Sequence, residues 1–418
     1  MAKLTFRAMK AKKGDAFFLI AKAEDSQIER DSLVLVDGGP GGVFKPILKP
    51  YLEDLKDEKG KTPLIDLLMV SHIDDDHING VLQLTDDLLD AREENRGELC
   101  HIRHAWHNSF SDFIATDNAN TLQGKGEPSS VDKFYGKMAS ISQGALEDAL
   151  GDTPHQDASK LVLASVKQGR RLRLNLRQLS IKLNSYFPDK IIVVPKGMRS
   201  RTRNINKTLR MRIIGPHQEE LDALREDWKE ALKDILKDDE AGVVAAAGKL
   251  DKSVANLSSI TVIAECQAQI SAKKTRMLLT GDARGDKIMK WLERAGEFNR
   301  RGDKGVARFD VLKLPHHGSD KNVTQEFFEK VIADHYIVSG DGSYGNPEPE
   351  VFDMILTAAK KNNHKNFKIH LTYSIEEMSK KSAFTNGNRH KRLKKIVDDN
   401  PRIFKFRGKN SAYMDITI

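Results

Sequence analysis

Short apolar runs that end in polar or glycine-rich segments recur along this chain. One run, residues 67–70, is followed at once by the polar segment 71–80, and another, residues 32–36, ends in a glycine-rich turn. Apolar or β-branched runs of four to eight residues with such boundaries predict buried strands followed by loops. Segments with helical spacing lie between strands, near residues 44–55 and after residue 80. This order predicts an α/β fold.

The middle of the chain departs from this pattern. Residues 110–210 are predicted to form a mostly helical, basic insertion, and residues 218–255 a second helical insertion. The arginines and lysines of the first insertion fit either a solvated helix face with a loop or a rim that attracts phosphate. With 418 residues, the chain is long enough for one large domain with insertions or for two domains.

Composition narrows the class of protein. The net charge of +8 permits an anionic partner such as DNA or RNA. No stretch approaches the roughly 18 apolar residues of a membrane span, and no signal-peptide pattern opens the sequence. The two cysteines, Cys100 and Cys266, are too few for a disulfide framework. We therefore expect a cytoplasmic protein that does not bind membranes.

One polar segment concentrates metal-binding side chains. Within six positions it carries His72, Asp74, Asp75, Asp76 and His77. Imidazole and carboxylate ligands of this kind suit zinc, manganese or iron. A solvated acidic turn would need neither a histidine at each end nor an apolar strand before it. The segment therefore predicts a metal site at the end of a buried strand.

Three further strand ends carry ligand-type residues. They hold His107, Asp282, and the adjacent pair His316 and His317. Together with the first segment, they supply more ligands than one ion takes. We therefore expect two divalent ions bridged by a carboxylate, about 3.5 to 4 Å apart as in known two-metal hydrolases.

These motifs resemble those of the metallo-β-lactamase-fold hydrolase superfamily, and within it the branch that contains the soluble domain of ComEC-type competence proteins for DNA uptake. The motifs that carry the resemblance stand in the same order along the chain. They are Gly14-Asp15-Ala16, Val36-Asp37-Gly38-Gly39, Ser-His-x-Asp-x-Asp-His-x-x-Gly at 71–80, Asn256 with Ser258-Ser259, Leu279-Thr280-Gly281-Asp282-Ala283, Leu-Lys-Leu-Pro-His-His-Gly-Ser at 312–319, and Tyr344-Gly345-x-Pro347.

The resemblance implies a single domain over residues 1–418, built as a four-layer αββα sandwich with helical insertions. Asp74 stands where most of the superfamily has histidine, and the ComEC-like branch also has aspartate there. Asn346 is a departure, because that branch commonly has histidine after Tyr-Gly.

The resemblance also implies roles for individual residues. One ion would be held by His72, Asp74 and His107, with His217 as the alternative to His107; the other by Asp76, His77 and either His317 or His316; Asp282 would bridge them. The other implied roles are catalysis for Asp76, His316 and His317, ligand orientation for Asp15 and Asp37, and substrate contact for Ser319, Tyr344 and Asn346. The histidine of the adjacent pair that is not a ligand would donate a proton to the leaving oxygen or clamp a phosphate.

Phosphodiester hydrolysis of nucleic acid, with two zinc or manganese ions that activate water, is the function that these observations favour. A hydrolase of small esters, lactones or phosphoesters is an alternative, since one fold serves many substrates. A third alternative is a non-catalytic subunit that retains the metal site and docks nucleic acid or a partner protein. A basic open groove favours a polymeric substrate, whereas a narrow apolar pocket favours a small molecule.

Overall fold

The computed structural model describes residues 4–22, 31–56, 60–109, 156–187, 190–223, 259–266, 274–300 and 305–418, which form a mixed α/β structure. The strands are β1 (Leu4–Met9), β2 (Phe17–Ala21), β3 (Ser32–Val36), β4 (Leu64–Ile65), β5 (Leu67–Met69), β6 (His101–Ile102), β7 (His104–Trp106), β8 (Lys182–Leu183), β9 (Arg201–Asn204), β10 (Leu209–Gly215), β11 (Thr261–Cys266), β12 (Thr275–Leu279), β13 (Ala307–Lys313), β14 (Val331–Val338), β15 (Lys368–Leu371), β16 (Phe404–Phe406) and β17 (Tyr413–Thr417). The α-helices are α1 (Lys49–Asp54), α2 (Asp75–Glu93), α3 (Gln156–Gln178), α4 (Gly285–Arg294), α5 (Gln325–Lys330), α6 (Pro349–Lys361), α7 (Ile375–Met378), α8 (Ser382–Thr385) and α9 (Arg389–Asp399).

Two large sheets contain most of the strands. The first has the order β17-β1-β2-β3-β5-β7-β8, antiparallel from β17 to β3 and parallel from β3 to β8. The second has the order β16-β15-β14-β13-β12-β11-β10-β9, parallel from β16 to β12 and antiparallel from β12 to β9. Strands β4 and β6 form a small separate parallel sheet.

Three clusters of buried apolar side chains hold these elements together. One cluster joins residues of both large sheets, among them Phe6 and Val311. A second contains residues of the longer sheet with Trp291 of α4 and Phe352 of α6. The third contains residues of the shorter sheet with Val81 of α2. Each large side chain buried in this way contributes about 1.5–3 kcal/mol.

The parallel strands position the functional residues. Because the carboxyl ends of parallel strands lie at one edge of a sheet, the segments that follow β3, β5 and β7 are neighbours, as are those that follow β12, β13 and β14. The two edges meet, since the backbone N–H of Ile260 donates to the carbonyl of Ser71 at 2.8 Å. His72 of one sheet lies 3.8 Å from Asp282 of the other, measured from Nε2 to Oδ2. The predicted strand ends therefore lie close together.

The two predicted insertions fall partly within the described residues. In the first, α3 is helical as expected, whereas the mostly helical prediction fails after Gln178, where strand β8 follows. Strands β8 and β9 extend the two large sheets, so this part of the segment belongs to the sheet framework. In the second, residues 218–223 are helical and residues 224–255 lie outside the described residues. Across the part of the chain that the structure describes, no helix is long and apolar enough to cross a membrane.

Candidate metal centre

The loop after β5 and the first turn of α2 present the ligand-type residues of the predicted metal segment. Asp74 has an extended backbone and precedes the helix, and Asp75 and Asp76 occupy its first turn. Carboxylates at this position interact favourably with the helix dipole. The His72 and His77 side chains are fully buried. The loop therefore directs both imidazoles inward.

Two glycines let other loops approach α2 closely. A Cβ atom at Gly14 would lie 1.8 Å from the carbonyl oxygen of Asp76, and one at Gly38 would lie 2.3 Å from the backbone nitrogen of Val81. Only glycine fits at contacts this short. The neighbouring residues Asp15 and Asp37 are consequently held against the start of the helix and are completely buried.

The structure brings most of the predicted ligands together. Two trios, His72 with His77 and Asp282, and Asp76 with His77 and His317, each place three ligand atoms within 4.8 Å of one another. The His77 Nε2 atom lies 3.3 Å from Asp282 Oδ1, and His317 Nε2 lies 3.7 Å from Asp76 Oδ2. Ligand atoms bound to one tetrahedral zinc ion lie about 3.4 Å apart, given zinc–ligand bonds of about 2.1 Å. The trios therefore have the spacing that a metal ion requires.

Asp74 and Asp282 lie where the sequence places them in this cluster. Asp74 Oδ2 is 3.6 Å from His72 Nε2, on the partly exposed side of the trio. The Asp282 carboxylate lies 3.7 Å from His317 Nε2 as well as near both other histidines. Asp282 thus lies near all three of these histidines, whereas the residue common to both trios is His77.

Several atoms of the cluster lack hydrogen bonds. Among the described residues, no hydrogen-bond partner contacts the buried atoms His72 Nε2, His77 Nε2, His317 Nε2 and Asp282 Oδ1. Leaving a buried polar atom unpaired costs about 1–3 kcal/mol, and native structures contain few of them. Four such atoms directed at one another fit a divalent cation that accepts their lone pairs. The residues present therefore fit the ions that the sequence predicts.

Asp37 controls the orientation of His77. Its Oδ2 lies 2.9 Å from His77 Nδ1, and its carboxylate also accepts hydrogen bonds from the backbone N–H of Ser71 at 2.6 Å and the Ser71 hydroxyl at 2.7 Å. Since an ionised carboxylate only accepts, His77 donates from Nδ1 and its Nε2 carries the free lone pair. Metal-binding histidines typically have such a carboxylate behind them.

Sequence reasoning missed a buried lysine in the cluster. The Lys313 side chain is 1% exposed, its Nζ contacts Asp15 Oδ2, and it lies 3.9 Å from Asp282 Oδ1. It also donates to the carbonyl of Gly281 at 3.4 Å. The available signal was a lysine at the end of strand β13, directly before Leu-Pro-His-His. Such a residue is expected to face solvent, but parallel strands covered on both faces offer no solvent side.

The charges of the cluster shift several pKa values. Burial opposes ionisation of Asp15, but the Lys313 ammonium and the nearby imidazoles of His317 and His77 outweigh it and hold the pKa of Asp15 below its usual range. Burial likewise opposes ionisation of Asp282, yet the surrounding histidines keep its pKa well below the ordinary value. The site therefore favours carboxylates in their ionised form, the form that binds cations.

The same carboxylates act on His77. Burial lowers the pKa of His77, but Asp282 and Asp37 outweigh it and raise that pKa well above its ordinary value. A proton at this imidazole neutralises the carboxylates around it, as a bound cation would. The proton and a metal ion therefore compete for the same lone pair on Nε2.

His316 and His317 occupy different environments. The His317 side chain is 4% exposed, and its Nδ1 lies 3.2 Å from the Ser339 hydroxyl and 3.3 Å from Asp15 Oδ1, which leaves Nε2 directed into the trio. The His316 side chain is 33% exposed, and its Nδ1 lies 3.8 Å from Asp282 Oδ2. Both residues have left-handed backbone conformations, with φ of 45° and 56°. Strain of this kind is typical of functional sites. These positions suit His317 as the ligand and His316 as the group that meets substrate.

Neither candidate for the remaining histidine ligand joins these trios. His107 is buried beside α3, where its Nε2 lies 3.4 Å from the carbonyl of Gly169, and its pKa is lowered to about 4 by burial. No hydrogen-bond partner among the described residues contacts its Nδ1. His217 is also buried, with no hydrogen-bond partner among the described residues on its Nε2, and the Glu220 carboxylate accepts a hydrogen bond from its backbone N–H at 3.0 Å. A Cβ atom at Gly169 would lie 3.6 Å from His107 Nε2 and 3.2 Å from Ile73 Cγ2, so α3 packs between His107 and the predicted metal segment.

The predicted substrate-contact residues lie at different depths. Tyr344 is 59% exposed at the surface near the centre. The Asn346 amide lies 3.4 Å from the carbonyl oxygen of His316, so it contacts the strained loop. Ser319 is buried, and its hydroxyl donates to Glu348 at 3.5 Å. Tyr344 is thus the most accessible of the three.

Comparisons of this chain with models of protein families, with curated proteins and with solved structures gave no match. The assignment of function therefore depends on the motifs of the chain and on the geometry of the cluster.

Proposed function

We propose that this protein is a metal-dependent hydrolase that cleaves phosphodiester bonds of nucleic acid with water as the nucleophile. The observation that carries the proposal is the set of four buried, unpaired ligand atoms from His72, His77, His317 and Asp282. We further propose that two zinc or manganese ions bind there, one held by His72 and Asp74 and the other by Asp76, His77 and His317, with Asp282 between them.

We also propose that the chain belongs to the metallo-β-lactamase superfamily and has its four-layer αββα sandwich fold. Its support is the order of the motifs along the sequence and the three apolar clusters, one shared by the two large sheets and one between each sheet and its helices. The position of the site at the carboxyl ends of parallel strands agrees with this assignment.

Ions bound there would lower the pKa of a coordinated water towards 7 and neutralise charge that develops on phosphoryl oxygens. The remaining chemistry belongs to the chain. Asp37 and Asp15 hold His77 and His317 with their Nε2 atoms directed inward. Lys313 offsets the charge of Asp15 inside the protein. His316, partly exposed and beside Asp282, is positioned to give a proton to the leaving oxygen.

The surroundings favour a phosphate-bearing substrate over a small ester or lactone. A cleft of about 640 Å³ beside the centre is lined by five lysines, whereas an ester hydrolase would need an apolar pocket. The two cysteines are buried and free, which supports the cytoplasmic location that we propose.

A substrate panel tests the proposal. We expect protein loaded with zinc or manganese to cleave bis(4-nitrophenyl) phosphate and at least one of single-stranded DNA, duplex DNA and RNA, and Asp282→Asn to abolish both activities. Lys182→Gln, on an exposed strand at the sheet edge, is the matched control and should leave both unchanged. Turnover of a nitrophenyl ester or a lactone without any phosphodiester cleavage would contradict the proposal.

A further inference from the structure

A basic cleft opens beside the candidate metal centre. It has a volume of about 640 Å³, and the lysines that line it are Lys10, Lys12, Lys13, Lys380 and Lys381. They come from the loop after β1 and from the segment between α7 and α8, two parts of the chain far apart in sequence. A concentration of lysines from separate segments in one cleft attracts anions, and a phosphate backbone is the polymeric anion that such clefts bind.

The carboxylates of the cleft neutralise only part of this charge. Lys10 Nζ lies 3.1 Å from a Glu377 oxygen, and Lys381 Nζ lies 3.3 Å from an Asp341 oxygen. A third carboxylate, Asp75, accepts hydrogen bonds from the side-chain amides of Asn79 and Gln168. Since the cleft has five lysines and three carboxylates, its lining carries a net positive charge of two.

An exposed aromatic ring lies next to the cleft. Lys13 Nζ donates to the hydroxyl of Tyr344 at 2.7 Å and lies 4.7 Å from the centre of its ring. With 59% of its surface exposed, Tyr344 has the most accessible aromatic side chain among the described residues. Unpaired bases stack on exposed rings of this kind, and neighbouring cations hold the adjoining phosphates.

The lining of the cleft includes Asp75, the residue between the proposed ligands Asp74 and Asp76. Two residues after Lys13, the backbone N–H of Asp15 donates to the carbonyl of Asp76 at 3.1 Å, and the Asp15 side chain contacts Lys313 and His317 inside the cluster. A strand bound along the lysines would therefore run close to the segment that carries Asp74 and Asp76.

We propose that single-stranded nucleic acid binds in this cleft, with phosphates on Lys12, Lys13 and Lys380 and one base stacked on Tyr344. The inference rests on the proposed function, because it treats the neighbouring cluster as the place of cleavage. A duplex keeps its bases paired and stacked, so it cannot offer one to Tyr344. The cleft therefore selects single strands.

Binding to the intact, metal-loaded protein tests this inference without depending on cleavage. The probes are fluorescent, phosphorothioate-linked DNA and RNA single strands and a DNA duplex, which keep the backbone charge and resist hydrolysis, and the readout is fluorescence anisotropy. One variant combines Lys12→Glu with Lys380→Glu, and a second carries Tyr344→Ala. The control, Lys182→Glu, makes the same change of charge at a lysine outside the cleft. Lys12, Lys380 and Lys182 are all exposed, and thermal unfolding checks that each variant folds.

We expect the double lysine variant to weaken single-strand binding at least tenfold and to reduce the salt slope of log K by about 1.4, or about 0.7 per lost phosphate contact. We expect Tyr344→Ala to weaken it roughly five- to 150-fold, the range for loss of one stacked base, and Lys182→Glu to leave it unchanged. The duplex should bind at least tenfold more weakly than the single strands.

Three results would overturn the inference: single-strand binding that the cleft variants leave unchanged, equal binding of duplex and single strands, or competition by polyglutamate as strong as by unlabelled DNA. If the wild type cleaves bis(4-nitrophenyl) phosphate in any of these cases, only the cleft inference fails. If single strands bind as expected but no phosphodiester is cleaved, the proposed function fails and the binding site stands.

Discussion

The Lys313 ammonium lies against the Asp15 carboxylate inside the candidate metal centre, and both side chains are 1% exposed. Removing two charges from water carries a cost of several kcal/mol for each ion, which only close pairing and further contacts offset. Here Asp15 also faces His317, and Lys313 faces Asp282. The ion pair therefore connects Asp15, which orients the proposed ligand His317, with Lys313, which faces the carboxylate of the proposed ligand Asp282.

Breaking this pair should destabilise the protein strongly. We expect Lys313→Met to lower the free energy of unfolding by about 3–5 kcal/mol, because Asp15 would remain as a buried charge without its partner. Urea unfolding measures the change, and Lys182→Met, an exposed lysine, is the control. The double variant Lys313→Met with Asp15→Asn should recover part of the loss. A stability unchanged by Lys313→Met would show that the pair is not buried as described.

Asp37 should govern metal affinity without contacting the metal. Its carboxylate fixes the Nδ1–H of His77, so Asp37→Asn should weaken binding of zinc or manganese about 10- to 100-fold. Competition with a chromophoric chelator measures the affinity. Asp415→Asn, which removes a carboxylate paired with Arg7 at the edge of the first sheet, is the control. Equal metal affinity in the two variants would contradict the role of Asp37.

His316 should act on the leaving group. We expect His316→Gln to reduce kcat for an alkyl phosphodiester about 10²- to 10⁴-fold, the contribution of general acid catalysis, while metal content stays at the wild-type level. A nitrophenolate leaving group needs no proton, so turnover of bis(4-nitrophenyl) phosphate should fall much less. Equal losses on both substrates would mean that His316 does not donate the proton.

A histidine pair away from the metal centre should make stability sensitive to acid. Burial, with smaller effects from His335, Lys405 and Lys368, lowers the pKa of His370 to about 3. When the pH falls below 6.5, the unfolded chain binds a proton that the folded chain rejects, so the stabilisation present above pH 6.5 is lost as the pH falls towards 3.

We expect the free energy of unfolding to fall by about 2 kcal/mol more in the wild type than in His370→Gln between pH 7 and pH 5. Urea unfolding at pH 5, 6 and 7 provides the comparison. His335 Nδ1 lies 3.0 Å from His370 Nε2, so His335→Gln should reproduce part of the effect. Parallel pH profiles for the wild type and both variants would contradict this account.

The sequence predicted the site best where the type of residue indicated its role. Histidines and aspartates after apolar strands predicted that these side chains would meet, since strand ends at one sheet edge come together whatever lies between them; the observed trio of His72, His77 and Asp282 differs from the predicted set of His72, Asp74 and His107. Lys313 could not be predicted in the same way, because a lysine in a strand is usually solvated and only the tertiary structure buries its charge. His107 also shows this limit: its place beside the cluster depends on how α3 packs, which no local pattern specifies.

For the fold too, local patterns could be predicted from the sequence and long-range contacts could not. The apolar runs predicted the α/β class and strands such as β3 and β5, because burial on both faces leaves an uninterrupted apolar pattern. The short strand β8 was instead assigned to a helix, since two residues give no periodicity and its pairing with β7 is a long-range contact. The lysine cleft also depends on long-range contact, between the loop after β1 and the segment after α7.

The most direct test of the proposed function is a metal titration of purified, metal-free protein in which bound metal and turnover of bis(4-nitrophenyl) phosphate are measured in the same samples. We predict that turnover appears as zinc or manganese binds, that it reaches its maximum at two equivalents per chain, and that chelation removes it reversibly. Full metal occupancy without turnover of this substrate, DNA or RNA would contradict the proposal, as would turnover that persists in metal-free protein.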